Sequence, residues 1–180
     1  MIKDPTIPMV HASVITSTLN LLDEVGAPRV PGLVAARLPT RIVYERDCYV
    51  PFRAACSWIN REARKQAIDN LGMRVGLHNG AMSMPDAIRN SLLTKPTLNQ
   101  ALHAWTRLIN RESSHAACWL DNGGKDLRLR FSSTFAQDVP GQADWIWFAC
   151  MQHLSVVRLF LGADWCPKEM TVPYYCLLYT

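Results

Sequence analysis

The chain has 180 residues, nearly half of them apolar and a smaller charged share than usual, which suffices for one domain with its own core and excludes a disordered polypeptide. The net charge is only +4, and Arg53, Arg61, Arg64, Lys65, Arg107, Arg111, Arg128 and Arg130 are spread along the chain rather than gathered in one run, so composition supplies no nucleic-acid footprint. Met1 to Pro5 carries an early acid and no apolar leader, no apolar run is long enough to span a bilayer, and the six cysteines are scattered without Cys-x-x-Cys pairs. The expectation is a cytoplasmic protein with reduced thiols and no membrane partner.

In chain order, Val14, Ile15, Thr18, Leu19 and Leu22 form one stripe and predict a helix over 12–24, stopped by Gly26 and Pro28. Residues 29–47 hold Pro31, Gly32 and Pro39 and predict a short helical turn followed by irregular chain. Pro51 suits a first helical turn, and Phe52, Ala55, Cys56, Ile59 and Ala63 then mark an amphipathic helix with Arg53, Asn60, Arg61 and Arg64 outside. Residues 72–80 read as a glycine-punctuated connector. Ser83 and Asp86 have capping-box spacing around Pro85, opening a short helix that buries Ile88 and Leu92.

Residues 95–131 carry the clearest pattern. Leu98, Ala101, Leu102, Trp105, Leu108 and Ile109 recur at three- and four-residue steps, and Thr97 with Gln100 forms a capping box at the helix start. The period then changes to two: Leu127, Leu129 and Phe131 alternate with Arg128 and Arg130. Asn122, Gly123 and Gly124 tolerate a tight turn, so 116–120 and 126–131 predict a hairpin. A polar loop follows over 132–142. Residues 143–161 are apolar nearly all round, which predicts a buried central helix capped by Gly162. Residues 169–172 read as a further strand, and the apolar tail 174–180 is an unusual domain end. The expected fold is α+β: N-terminal helices packed with a small antiparallel sheet that includes the hairpin, and a buried central helix.

Candidate chemistry is sparse. His115-x-x-Cys118 with Cys150-x-x-His153 offers four zinc-type ligands on paper, and His103 or His153 an axial haem ligand. Core thiols and satisfied histidines are the preferred reading, with no metal and no cofactor expected. No nucleophile elbow or phosphate-binding glycine loop occurs, and a spatial Cys118–His153 pair would lack a third, orienting group. Trp105, Trp119, Trp145 and Trp147 fall in predicted core elements, where they either pack or line a small-molecule pocket. Arg158, set among apolar neighbours on the central helix, needs a partner, and Gln152 and His153 are the other polar groups of that helix available to face a pocket. Trp105, Trp119, Trp147, Gln152 and Arg158 are therefore the candidate ligand-binding residues.

Three strings add a resemblance. Leu71-Gly72-Met73-Arg74-Val75-Gly76, then Lys95-Pro96-Thr97-Leu98-Asn99-Gln100-Ala101-Leu102, then the hairpin and Leu161-Gly162-Ala163-Asp164-Trp165-Cys166-Pro167-Lys168-Glu169 resemble, in order and spacing, the arabinose-binding-type N-terminal domain of AraC-family transcriptional regulators. That family shows a Gly-Leu-x-x-Gly-like element, a Ser-Pro-Thr-Leu-x-x-Ala-Leu element and a Gly-x-x-Trp-x-Pro element. Here Lys95 stands where Ser is usual and Met73 where Leu is usual. The resemblance covers roughly residues 10–172. It implies an effector-sensing, homodimerising module that binds a small metabolite, such as a sugar, amino acid or fatty acid. It further implies a regulator that is not an enzyme and touches DNA only through a C-terminal helix-turn-helix domain outside these 180 residues, which makes the chain a truncated form, a fragment or a degenerate gene product. The rival readings are a protein-interaction module without ligand and a small cysteine-dependent enzyme.

Overall fold

The computed structural model describes residues 7–133 and 139–172. In chain order the elements are β1 (Met9–His11), α1 (Ser13–Glu24), α2 (Arg29–Ala35), β2 (Tyr49–Pro51), α3 (Phe52–Lys65), α4 (Leu71–Asn79), α5 (Asp86–Leu93), α6 (Leu98–Glu112), β3 (Ala116–Asp121), β4 (Arg128–Ser133) and α7 (Gln142–Leu161). Short 3₁₀ turns occupy Thr40–Val43 and Gly80–Ser83. The fold is α+β. No helix among the described residues is long and apolar enough to cross a membrane.

In place of one small sheet there are two separate antiparallel pairs. β1 sets Val10 opposite Val50 of β2, and β3 sets Cys118 opposite Phe131 of β4. Ser114 joins the two regions: its Oγ accepts from the Met9 N–H at 3.0 Å and its own N–H donates to the Met9 carbonyl at 3.0 Å. β1 and β2 have three residues each, too few for an alternation of period two to register.

Two apolar clusters make the interior. The first gathers Ile15, Leu19, Leu33, Phe52, Trp58 and Ile59 from the N-terminal helices around Trp145, Ile146 and Phe148 of α7. The second gathers Ile88 and Leu92 of α5, Leu102, Trp105 and Ile109 of α6, and Cys118 of β3 around Val156 of α7. α7 is thus shared. Its buried positions run from Gln142 to Val156, whereas Leu159 and Leu161 in the last turn are exposed.

The start of α6 is as expected, with the Thr97 hydroxyl accepting from the Gln100 N–H at 3.3 Å. Gly162 ends α7 with φ of 95°. Residues 71–79 correct the expectation of a connector, because they form α4. Each glycine in a helix costs about 1 kcal/mol relative to alanine, and here tertiary packing offsets it. A Cβ built on Gly72 falls on the Asp144 backbone carbonyl, and one on Gly76 falls on the Met151 side chain. Spaced four apart on one face, the two glycines let α4 lie directly on α7. The Asp144 carboxylate seals the approach by accepting from the Gly72 N–H at 2.9 Å.

Three further expectations differ. Ser83 forms no capping box with Asp86; its hydroxyl donates to the Gly80 carbonyl at 2.7 Å and Pro85 holds the N-cap position of α5. Residues 169–172 are not a strand, and Lys168 just before them pairs with Asp126 of the hairpin loop at 3.1 Å. Ser132 and Ser133, read as loop, belong to β4. Residues 134–138 and the apolar tail lie outside the described residues.

Gly72→Ala and Gly76→Ala should each lower the unfolding free energy by about 1–3 kcal/mol, the usual cost of overpacking. Arg74→Ala, on the exposed side of the same helix, should stay within about 0.5 kcal/mol. Urea unfolding followed by tryptophan fluorescence reads the difference; three equal values would contradict the packing argument.

Candidate functional site

The five candidate residues occupy different environments. Trp105 is fully buried on α6, its indole nitrogen has no hydrogen-bond partner among the described residues, and its ring meets His153 edge-on at 5.6 Å. Trp119 stands on the wet face of the hairpin, 44% exposed and opposite Arg130. Trp147 is half-buried on α7. Arg158 is satisfied locally: its Nε donates to the Trp165 carbonyl at 2.9 Å, across the turn that follows α7. Gln152 is buried and polar on both counts. The structure does not gather these five around one cavity.

Gln152 leads to a pair that the sequence reading missed. Its Nε2 donates to Glu112 Oε1 at 2.5 Å and lies 3.4 Å from the Ser83 carbonyl. Glu112 is the last residue of α6 and is buried, with Oε2 left unpartnered among the described residues. Burial pushes its carboxyl up to about 7, against the lowering effect of the Gln152 hydrogen bond. The signal was present in the sequence: Glu112 continues the stripe of Ala101, Trp105 and Ile109 onto the buried face. Nearby, the Ser113 hydroxyl lies 2.9 Å from His115 Nδ1, and burial pushes His115 down to about 4.

Cys118 and His153 do meet, with Sγ 3.6 Å from Nε2. His153 Nδ1 bonds the Ala149 carbonyl one turn earlier, which places its proton on Nδ1 and leaves Nε2 to accept from the thiol. Trp105 and Phe131 flank the imidazole edge-on. Burial lifts the Cys118 thiol to about 12 and lowers the His153 imidazole. Both shifts favour the neutral forms, a thiol beside an imidazole, over the thiolate that nucleophilic or metal chemistry uses. The other two zinc-type residues lie elsewhere. His115 packs on Phe52, with ring centroids 4.0 Å apart, and Cys150 packs against the first cluster. No three such groups converge among the described residues. His103 stands exposed on the outer face of α6.

Two shallow surface grooves of about 400 Å³ lie elsewhere on the described residues. One runs between the end of α2 and α3, lined by Ala35, Ala36, Arg53, Ala54, Ser57 and Arg61. The other lies along α6, lined by Lys95, Gln100, His103, Ala104 and Arg107. Both are cationic and neither contains a carboxylate. None of the five candidate residues lines either one.

Glu112 fixes the sign of one pH dependence. Its folded value of about 7 lies above the ordinary value of about 4.5 for this carboxyl, so between these pH values the folded state holds a proton that the unfolded state has released. The contribution of Glu112 to stability is full below about 4.5 and is lost as pH rises to about 7, by roughly 3 kcal/mol at 1.36 kcal/mol per unit. His115 acts oppositely, losing its contribution as pH falls from 6.5 towards 4. Glu112→Gln keeps the acceptor for Gln152 and removes the ionisation. The stability gap between this variant and wild type should widen in the variant's favour from pH 4.5 to pH 8 in urea titrations. A gap that does not move with pH would refute the assignment.

The thiols give a second check. Cys166 is exposed, whereas Cys56 and Cys118 are buried with their thiols raised. Iodoacetamide mapped by mass spectrometry should label Cys166 within minutes and leave Cys56 and Cys118 unlabelled until denaturant is added. Early labelling of Cys118 would show an activated thiol after all.

No protein-family model matches the chain, and no curated protein matches it either.

Proposed function

We propose that the chain is an effector-sensing domain of the AraC regulatory type, which binds a small metabolite and governs a separate DNA-binding domain as part of a homodimer. The observation that supports this reading is where the three strings that resemble the family fall. Gly72 and Gly76 set α4 on α7, the Thr97 cap starts α6, and Gly162 to Lys168 closes α7 and ties it to the hairpin through Lys168 and Asp126. The elements that resemble the family are those that frame one helix shared by two cores.

Sensing then works as a population shift. A ligand that favours one seating of the N-terminal helices acts on the first half of α7, and the second half carries the change to α5, α6 and the hairpin. The Glu112–Gln152 pair sits at that junction. A second reading, a protein-interaction module without ligand, draws support from the exposed Trp119 beside Arg128 and Arg130 on the wet face of the hairpin. An enzyme reading is weakened by the neutral Cys118–His153 pair.

A thermal-shift screen of the chain against a metabolite library tests the proposal. A ligand at one hundred times its Kd adds about 2.7 kcal/mol to the folded state, so at least one compound should give a saturable rise in Tm. If every class leaves Tm unchanged while the protein is folded, the sensing reading falls and the interaction module takes its place.

A further inference from the structure

We infer that the groove between α2 and α3 is a binding site for the oxyanion group, phosphate or carboxylate, of a small metabolite, with Arg53 and Arg61 as its clamp. The inference rests on the sensing reading and names the chemistry of its effector.

Arg53, Ser57 and Arg61 follow at four-residue steps, so they stand on one line along the exposed side of α3. The two arginines are about 12 Å apart along the axis at 1.5 Å per residue, with the Ser57 hydroxyl midway between them. Their side chains are long enough to lean over it from both ends. Neither arginine forms an ion pair among the described residues. Arg61 is already placed: its Nη1 donates to the Ala35 carbonyl at 3.3 Å, which uses one of its donors, and the residue lines the groove. The floor is Ala35, Ala36 and Ala54, small side chains that leave the space open.

Glu62, next to Arg61 in sequence, is buried against Gly32 of α2, with its Oε2 unpartnered among the described residues, and is not among the residues that line the groove. An oxyanion in the groove thus meets two cationic forks and a hydroxyl, and no carboxylate lines it, a donor set that suits bidentate recognition. The groove is shallow and open to solvent, with a volume of about 400 Å³. The groove also has a route inward. Phe52, next to Arg53, meets Trp145 of α7 edge-on at 5.1 Å, and Cys56 and Ile59 share a cluster with Phe148. Tightening α2 on α3 bears directly on the shared helix.

The probes are inorganic phosphate and succinate, titrated calorimetrically at constant ionic strength set with chloride. Saturable binding of one or both should weaken at least tenfold in Arg53→Ala and in Arg61→Ala. Arg61→Lys, which keeps the charge and loses the fork, should fall between wild type and Arg61→Ala. Arg107→Ala in the α6 groove should bind as wild type, and the unliganded melting temperatures of all four variants establish that they fold. Whichever anion binds more tightly identifies the group. No saturable heat from either anion, or binding that Arg53→Ala and Arg61→Ala leave intact, overturns the site. Hydrogen exchange separates the two claims. Arginine-dependent binding that slows exchange in α7 supports both, whereas the same binding with α7 unchanged keeps the site and removes the sensing role.

Discussion

The contact between α4 and α7 is made possible by the absence of two methyl groups. Gly72 and Gly76 bring one backbone against another, so the space that side chains would occupy is filled by the Asp144 carbonyl and by Met151. A helix built this way gains dispersion contacts along its length and gives up the freedom to rotate or slide. The seal is polar: Asp144 sits in the first turn of α7 and accepts the Gly72 N–H near the start of α4, so one carboxylate serves two helix N-termini. Burial raises that carboxyl while the Gly72 bond lowers it, which is the balance expected of an anion that is partly dehydrated and partly compensated. The position of α7, and with it both apolar clusters, follows from this approach.

Between the clusters the interior is not purely apolar. Glu112 and Gln152 connect the end of α6 to the middle of α7, and the Ser83 carbonyl adds a contact from the turn before α5. An acid in such a place is tolerated when it keeps its proton and finds a donor. The indoles of Trp58, Trp105 and Trp145 have no partner for their N–H among the described residues, so they contribute area and shape alone. The Glu112–Gln152 and Asp144–Gly72 hydrogen bonds, by contrast, are placed where elements meet.

What was legible in the sequence was what local chemistry decides. The Thr97 cap, the stripe of α6, the switch to period two and the Gly162 stop are each contained in a few neighbouring residues, and each appears in the fold. α4 was illegible for the opposite reason. Gly72 and Gly76 signal a break when read locally, and only the facing surface of α7, some seventy residues away, makes them helical. The strands β1 and β2 were too short to show a period. In the site, Gln152 is legible as a polar group on a buried helix, whereas Glu112 is masked by the exposed character that an acid at a helix end usually has. Arg53 and Arg61 were placed outside α3, where they are, while the groove they flank needs α2 to exist.

The shared helix also bears on how such a chain can be rearranged in evolution. Parts exchange cleanly between proteins where few contacts cross the joint. Here residues 145–148 complete the core of the N-terminal helices, and Val156, two turns on, completes that of α6 and the hairpin. A crossover anywhere within Gln142–Leu161 would pair half of one core with the wrong lining for the other. Recombination that preserves folding must therefore carry α7 entire, together with both of the surfaces it serves.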